Sequence, residues 1–354
     1  MTRNKVGIVT LYGQNNYGNR LQNYATVKSI NALGYSAESL VLTRGSMLQQ
    51  LKSFVKNHFL AIKHAGEVTN NKARLDAFHS FSSNIPTRIV DSVNGLDREY
   101  RYFSVGSDQV WNPRYIKGME KWFYLQFCKP KQRIALSPSI GLDDLNPAQC
   151  KSLSDGIRDF PRLSIREHRG AELIAKCAGR NATVLCDPTL TVSSDEWDAL
   201  SNNRLTPSEP YVFAYVLGDT GSIANVLETV TRRGIIPVIS LSDRATIREL
   251  PAGPAEFVSL IENAKHVVTD SFHAAVFAAI FQKPLTVVKR DGGADMFSRL
   301  DTLSMMLDIR NKIFGSAEFD YAYAGDYVDT SNRIELERHK FMAYLSSCLE
   351  LDEI

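Results

Sequence analysis

Residues 267–290, VVTDSFHAAVFAAIFQKPLTVVKR, constrain the fold more than any other stretch. Val267, Val268 and Thr269 form a β-branched run that reads as a strand. Asp270 and Ser271 are N-cap residue types. Ala274–Phe281 is a compact apolar helix, too short to span a membrane. Lys283-Pro284 ends it, because the residue before a proline avoids the α region. Leu285–Val288 then reads as a buried parallel strand. A strand, a sharp turn, a helix and a second parallel strand make one unit of an open α/β sheet. Its polar side chains, Asp270, Ser271 and His273, sit at the turn. In such sheets ligands bind at the carboxyl ends of strands, beside helix N-termini, where free N–H groups attract anions. His273 therefore stands where an anionic group would arrive. The competing reading is a buried, satisfied histidine.

The same alternation runs through the chain. Lys5–Tyr12 is a strand, followed by a loop bracketed by Gly13 and Gly18 and a helix from about Arg20 to Leu33. The spacing is neither GxGxxG nor a phosphate loop, which disfavours a dinucleotide site. Asn15, Asn16, Asn19 and Gln22 offer paired donors and acceptors suited to sugar hydroxyls, or else only turn geometry. Residues 102–105 and 133–137 are further strands. The first ends in GSDQVWNP, with Asp108, Gln109 and the flat face of Trp111, which either stacks on a sugar or fills a core. Ser164-Ile165-Arg166-Glu167 ends another strand. Arg166 there is a natural fork for carboxylate or phosphate, or an ion-pair partner for a nearby acid. Strands and helices alternate again beyond residue 210. The fold expected is α/β: two doubly wound Rossmann-like domains facing across a cleft, with a C-terminal helix returning to the first domain. The boundaries expected are 1–191, 192–331 and 332–354, with a variable helical insertion at about 46–80. Ile334, Leu336, Phe341, Leu345 and Leu349 mark the apolar face of the last helix.

Composition removes several classes. The formal net charge of the 354 residues is +2, with no concentrated basic footprint, so nucleic acid is not an expected partner. Five cysteines without a CxxC argue against a disulfide framework or zinc site and for reduced thiols in the cytoplasm. The start of the chain lacks the pattern of a signal peptide. Lys52, Lys56 and Lys63 among apolar residues make 46–65 a candidate for peripheral contact with the inner face of an anionic membrane, or an ordinary solvated helix.

Four stretches together resemble the polysaccharide pyruvyl transferase family: NYGNRLQNYA at 16–25, GSDQVWN at 106–112, SIRE with its following DPT at 164–189, and VVTDSFHAAVFA at 267–278. The resemblance implies a GT-B-like fold, phosphoenolpyruvate as donor and a sugar acceptor that is nucleotide-linked, lipid-linked or polymeric. The product would be a cyclic pyruvate ketal on a cell-surface glycan or its precursor. It makes His273 the catalytic acid. It puts Arg166, Ser271, Lys289, Arg290 and Arg299 toward the donor, with the last three competing for one basic role. Asn16, Tyr17, Asn19, Arg20, Gln22, Asp108, Gln109 and Trp111 would face the acceptor. Asp108 or Asp187 could take the acceptor's proton. No metal or cofactor is expected. Where many relatives have Gly after the histidine, this chain has Ala274. The rival readings are a glycosyltransferase using a nucleotide sugar and a non-enzymatic glycan-binding module.

Overall fold

A computed structural model describes residues 4–12, 16–43, 65–218, 223–241, 250–290 and 297–349, with 65–71 as backbone only. Gly13, Asn15, most of the expected 46–65 membrane segment and Gly292-Gly293 lie outside these residues.

The first sheet has the order β3 (Thr87–Val90), β2 (Ser36–Leu42), β1 (Lys5–Val9), β4 (Tyr102–Val105), β5 (Arg133–Ala135). All four pairings are parallel. Central β1 is buried from Val6 onward, as a strand covered on both faces must be. A two-stranded parallel pair, β6 (Ser164–Ile165) and β7 (Thr183–Val184), continues past β5. The hydroxyl of Ser164 makes the join: it donates to the Ala135 carbonyl at 2.7 Å and accepts from Ser137 N–H at 2.9 Å. The second sheet runs β11 (Leu285–Val287), β10 (His266–Thr269), β8 (Val212–Tyr215), β9 (Val238–Leu241), again parallel throughout. The 267–269 run thus lies in the interior of its sheet, between Phe213–Tyr215 and Leu285–Val287. The exposed edge strand β3 was not legible in the sequence. Its Ile89 is 71% exposed, so the short run carries no burial pattern.

The helices that matter for the site are α1 (Tyr17–Ala32), α2 (Ala65–Ser82), α3 (Pro147–Ile157), α4 (His168–Ala178), α5 (Pro254–Glu262), α6 (Phe272–Ile280), α7 (Phe297–Leu307) and α8 (Thr330–Leu349). α1 begins three residues before the expected Arg20. Asn16 caps it, its side-chain oxygen accepting from Asn19 N–H at 3.0 Å. The two halves meet through aromatic packing. Tyr17 stacks on Phe257 of α5 with ring centres 4.6 Å apart, and touches Tyr215 edge-on at 5.6 Å.

α8 comes back to the first sheet. Tyr35 and Tyr102 both donate to the Leu349 carbonyl, at 3.1 and 2.7 Å, and Phe341 and Leu345 are fully buried. Leu336 departs from the expected apolar face and is 65% exposed. A second departure concerns the cysteines. Cys150 on α3 and Cys177 on α4 form a disulfide with Cα atoms 5.1 Å apart, because the two helices pack side by side. Cys128, Cys186 and Cys348 are free and buried. No helix among the described residues is long and apolar enough to cross a membrane.

Candidate active site

The carboxyl ends of the first half's strands bring together Thr10 after β1, Ser107 and Asp108 after β4, Arg166 after β6 and Asp187 after β7. Short parallel strands ending in one layer must place the residues that follow them side by side. Ser107 and Asp187 touch directly, hydroxyl to Oδ2 at 3.2 Å. Arg166 joins the two acids. Its Nη1 donates to Asp187 Oδ2 at 2.5 Å and its Nη2 to Asp108 Oδ1 at 3.1 Å. Asp187 spends its other oxygen on Thr189, accepting from N–H at 3.0 Å and from the hydroxyl at 2.7 Å, which is how the DPT turn holds its own acid in place. The other oxygen of Asp108 accepts from the side chain of Asn19. Gln22 bridges the floor, accepting from Ser107 N–H at 3.0 Å and donating to Thr10 Oγ1 at 2.8 Å.

The second half closes this layer from above. Phe272 and His273 open α6, and the Phe272 ring lies 4.4 Å from the guanidinium carbon of Arg166. His273 Nε2 stands 3.6 Å from Asp187 Oδ2, beyond hydrogen-bond range, and Arg299 Nη1 stands 3.9 Å from Asp108 Oδ1. The imidazole packs directly on the first turn of α1. A Cβ at Gly18 would lie 2.1 Å from His273 Nδ1, so no larger residue fits there with the ring in this position. Gly18 thus allows the close approach of α1 to the imidazole.

The electrostatics follow from burial and charge. Burial opposes ionisation of Asp187, but His273, Arg166 and the Thr189 N–H outweigh it and hold its pKa well below the usual carboxylate range. Asp108 is also lowered: burial works against its charge, and Arg166, His273 and Arg299 more than compensate. Burial alone would lower Arg166, but Asp187, Asp108 and Glu167 together raise it. Burial and the neighbouring Arg166 draw Arg299 down to about 10, which leaves it cationic at neutral pH. Both acids are therefore firmly ionised and make weak bases. Three atoms of the cluster are buried with no hydrogen-bond partner: His273 Nε2, Arg166 Nε and Glu167 Oε2. Buried polar atoms are rarely left so.

The structure sorts the residues expected from sequence. His273, Arg166, Arg299, Asp108 and Asn19 converge. Ser271 is the N-cap of α6 and adjoins them, but its side chain makes no cap bond, contrary to its expected capping role. Asp270 does not cap α6 either. Its oxygens accept from Leu217 and Gly218 N–H at 2.8 and 2.9 Å and pair with Arg290 at 2.9 Å, which takes Arg290 out of the donor set as it stands. Lys289 lies 5.3 Å over the Phe297 ring. Trp111 is 1% exposed, with its indole N–H on the Phe123 carbonyl at 3.2 Å and its rings against Tyr124 and Phe160. It is core and offers no face to a sugar. Tyr17 and Gln22 are likewise buried and engaged, Asn16 is a helix cap, and Gln109 accepts from Asn112 at 2.7 Å. Arg20 is buried on a different side of α1 from Gly18. Arg166 was read either as an open fork or as an ion-pair partner for a nearby acid. The second reading holds here: it is closed on two acids, because strand ends in one layer bring acids to the same guanidinium. Sequence reasoning passed over Gly18, Ser107 and Glu167. The last accepts from Ile140 and Gly141 N–H at 2.8 and 3.0 Å, and its place directly after Arg166 was the available signal.

Two Rossmann-like halves of GT-B-like build hold an ionised cluster and a histidine between them. Residues 16–292 match the family model for polysaccharide pyruvyl transferase, and the chain belongs to that family. None of the curated proteins matches the chain. Among solved structures, a Listeria monocytogenes protein described as a UDP-N-acetylglucosamine 2-epimerase shares 9% identity, with 99% of this chain and 97% of that one covered and a TM-score of 0.50. That likeness supports the fold alone. An S. aureus MnaA–UDP co-structure is similar at 11% identity, covering 98% and 97%, with a TM-score of 0.48.

Proposed function

We propose that this transferase moves pyruvate from phosphoenolpyruvate to two hydroxyls of one sugar, forming a cyclic ketal and releasing phosphate. The observation that carries the reading is the buried, unpartnered Nε2 of His273, 3.6 Å from Asp187 and beside Arg166 and Arg299. A positioned proton donor next to two guanidinium groups suits a small dianion with a basic methylene carbon.

Arg166 and Arg299 would take the donor's carboxylate and phosphate, exchanging Asp108 for donor oxygens, with the first turn of α6 contributing N–H groups. His273 delivers a proton to the methylene, which becomes the methyl group, and C2 becomes electrophilic. The first sugar hydroxyl adds to C2, and its proton passes to the departing phosphate as the C2–O bond breaks. The second hydroxyl closes the ring and returns a proton to His273. Asp187 stands 3.6 Å from the imidazole, and its low pKa makes it unsuitable as the base. Arg166→Lys would lose one arm of the fork and raise the KM for phosphoenolpyruvate.

Mass spectrometry of the surface glycan from cells with and without the protein tests the reaction: the glycan should lose one dehydrated pyruvate per repeat. A thermal-shift comparison of phosphoenolpyruvate with nucleotide sugars tests the donor. An unchanged glycan, with stabilisation by nucleotide sugars alone, would replace this reading with glycosyl transfer.

A further inference from the structure

Arg20 is 3% exposed, yet no carboxylate among the described residues lies within ion-pair range of it. Its Nε donates to Ser82 Oγ at 2.9 Å. Its guanidinium carbon lies 3.6 Å from the centre of the Tyr12 ring. Nη1 is buried with no hydrogen-bond partner. Two other buried arginines contrast with it: Arg166 has two acids, and Arg133 holds the Cys128 carbonyl through two nitrogens. A guanidinium taken out of water without an anion is costly, and one aromatic face offsets only part of that cost. Burial accordingly draws its pKa down.

The position gives this misfit a purpose. On α1, Gly18 faces His273, while Asn19 and Gln22 reach Asp108 and Ser107. Arg20 projects to another side, toward Tyr12 and the end of α2. Tyr12 follows the carboxyl end of β1, the same sheet edge that carries Thr10, Ser107 and Asp108. Arg20 is thus carried by the helix whose other side lines the candidate site, apart from the arginines that suit the donor.

We infer that Arg20, with Tyr12 as its stacking wall and Ser82 as its clamp, anchors a phosphate or diphosphate group carried by the sugar acceptor. This rests on the proposed sugar acceptor, not on the identity of the donor. The planar fork, held at Nε with the buried Nη1 lacking a hydrogen-bond partner, matches the oxygens of a diphosphate. Such a group comes either from a nucleotide or from a lipid carrier, and both present the same anion.

The experiment is calorimetry on the full chain with inorganic pyrophosphate, UDP and farnesyl diphosphate, each in the presence of phosphoenolpyruvate to occupy the donor site. The wild type should bind pyrophosphate. Arg20→Met should bind it about 10- to 100-fold more weakly, the range expected of a charge-assisted pair. Because the substitution removes a buried cation without an anion, Arg20→Met should melt no lower than the wild type. Tighter binding of UDP than of pyrophosphate assigns the nucleotide source, and tighter binding of farnesyl diphosphate assigns the lipid source. Equal pyrophosphate affinity in the wild type and in folded Arg20→Met overturns the inference, as does no binding of pyrophosphate to the wild type. A thermal shift by phosphoenolpyruvate is read separately in both proteins and should be the same in each. Its absence from both would refute the proposed donor while leaving the Arg20 result standing.

Discussion

Among the described residues, two buried aspartate–arginine assemblies at strand ends differ in one respect. Asp270, after β10, has each oxygen on a backbone N–H and is closed by Arg290, whose side chain is 22% exposed. Every valence of the acid is used, and the result ties the turn after β8 to the turn after β10. Asp108 and Asp187 hold Arg166 in a drier place, with side-chain exposures of 7%, 0% and 1%, yet that assembly leaves Arg166 Nε, His273 Nε2 and Glu167 Oε2 without partners. Both are acid–arginine pairs of the kind a folded α/β protein makes at its sheet edges. A satisfied pair is scaffold. A pair of higher charge density that retains open donors and acceptors is poised to exchange partners with a ligand.

The largest break in this contrast is expected at His273. His273→Ala removes the proton donor and should lower kcat by about 10²–10⁴. The protein should fold, because α6 is anchored by its buried apolar residues rather than by the imidazole. Turnover at the wild-type rate in a folded variant would return His273 to packing. Asp187→Asn should cost most in stability. It leaves Arg166 short of a partner in a dry site, and breaking a buried pair costs about 3–5 kcal/mol. Chemical denaturation would measure this, and a cost below about 1 kcal/mol would show that the pair is better hydrated than its burial indicates.

The same acid sets a pH dependence. Its folded pKa is depressed, so its contribution is complete above the unfolded value of about 4 and is lost as pH falls below it toward the folded value. Wild-type stability should drop through that window, and Asp187→Asn should flatten the drop. An equally steep acid limb in the variant would assign the acid sensitivity to other carboxylates.

Gly18→Ala comes next. The added methyl would overlap the imidazole, with 2.1 Å to Nδ1, so the ring or α1 must shift. Displacing a reacting group by about 1 Å can cost about 10² in rate, and overpacking about 1–3 kcal/mol. The combination of a large loss in kcat with a modest fall in Tm is the signature to look for. Loss of Tm alone would make Gly18 a packing residue without a role in placing His273.

How much of this was legible beforehand divides along the same line. The 267–290 unit was readable because its strand, stop signals and apolar helix all pointed to one local structure, and so was the return of the last helix. The convergence of Arg166 with His273 came from motif resemblance and strand-end position. Several inferences that needed to know a side chain's neighbours failed. Trp111 and Tyr17 look alike in sequence whether they face a sugar or a core. Asn16 could be a ligand or a cap. Arg290 could be a donor fork or the partner of Asp270, twenty residues away. The close approach of Gly18 to His273 spans the two halves, and no local pattern records it. The Cys150–Cys177 bond arises from the packing of α3 on α4, which spacing alone does not reveal.

The smallest expected effect is the sharpest test of the comparison. If Asp270–Arg290 is scaffold, Arg290→Gln should leave the KM for phosphoenolpyruvate within about threefold of wild type. It should cost only about 1 kcal/mol of stability, since the pair is partly exposed and Asp270 keeps both backbone N–H bonds. Arg299→Gln, made alongside, should raise KM about 10-fold or more, because that guanidinium stands 3.9 Å from Asp108 within the unsatisfied cluster. Steady-state kinetics on the two variants compare one arginine from each assembly under one assay. Similar KM values would mean that open valences do not mark the donor site here. A larger KM effect in Arg290→Gln would mean that Arg290 leaves Asp270 when the donor binds, making the pair that looks closed the one that moves.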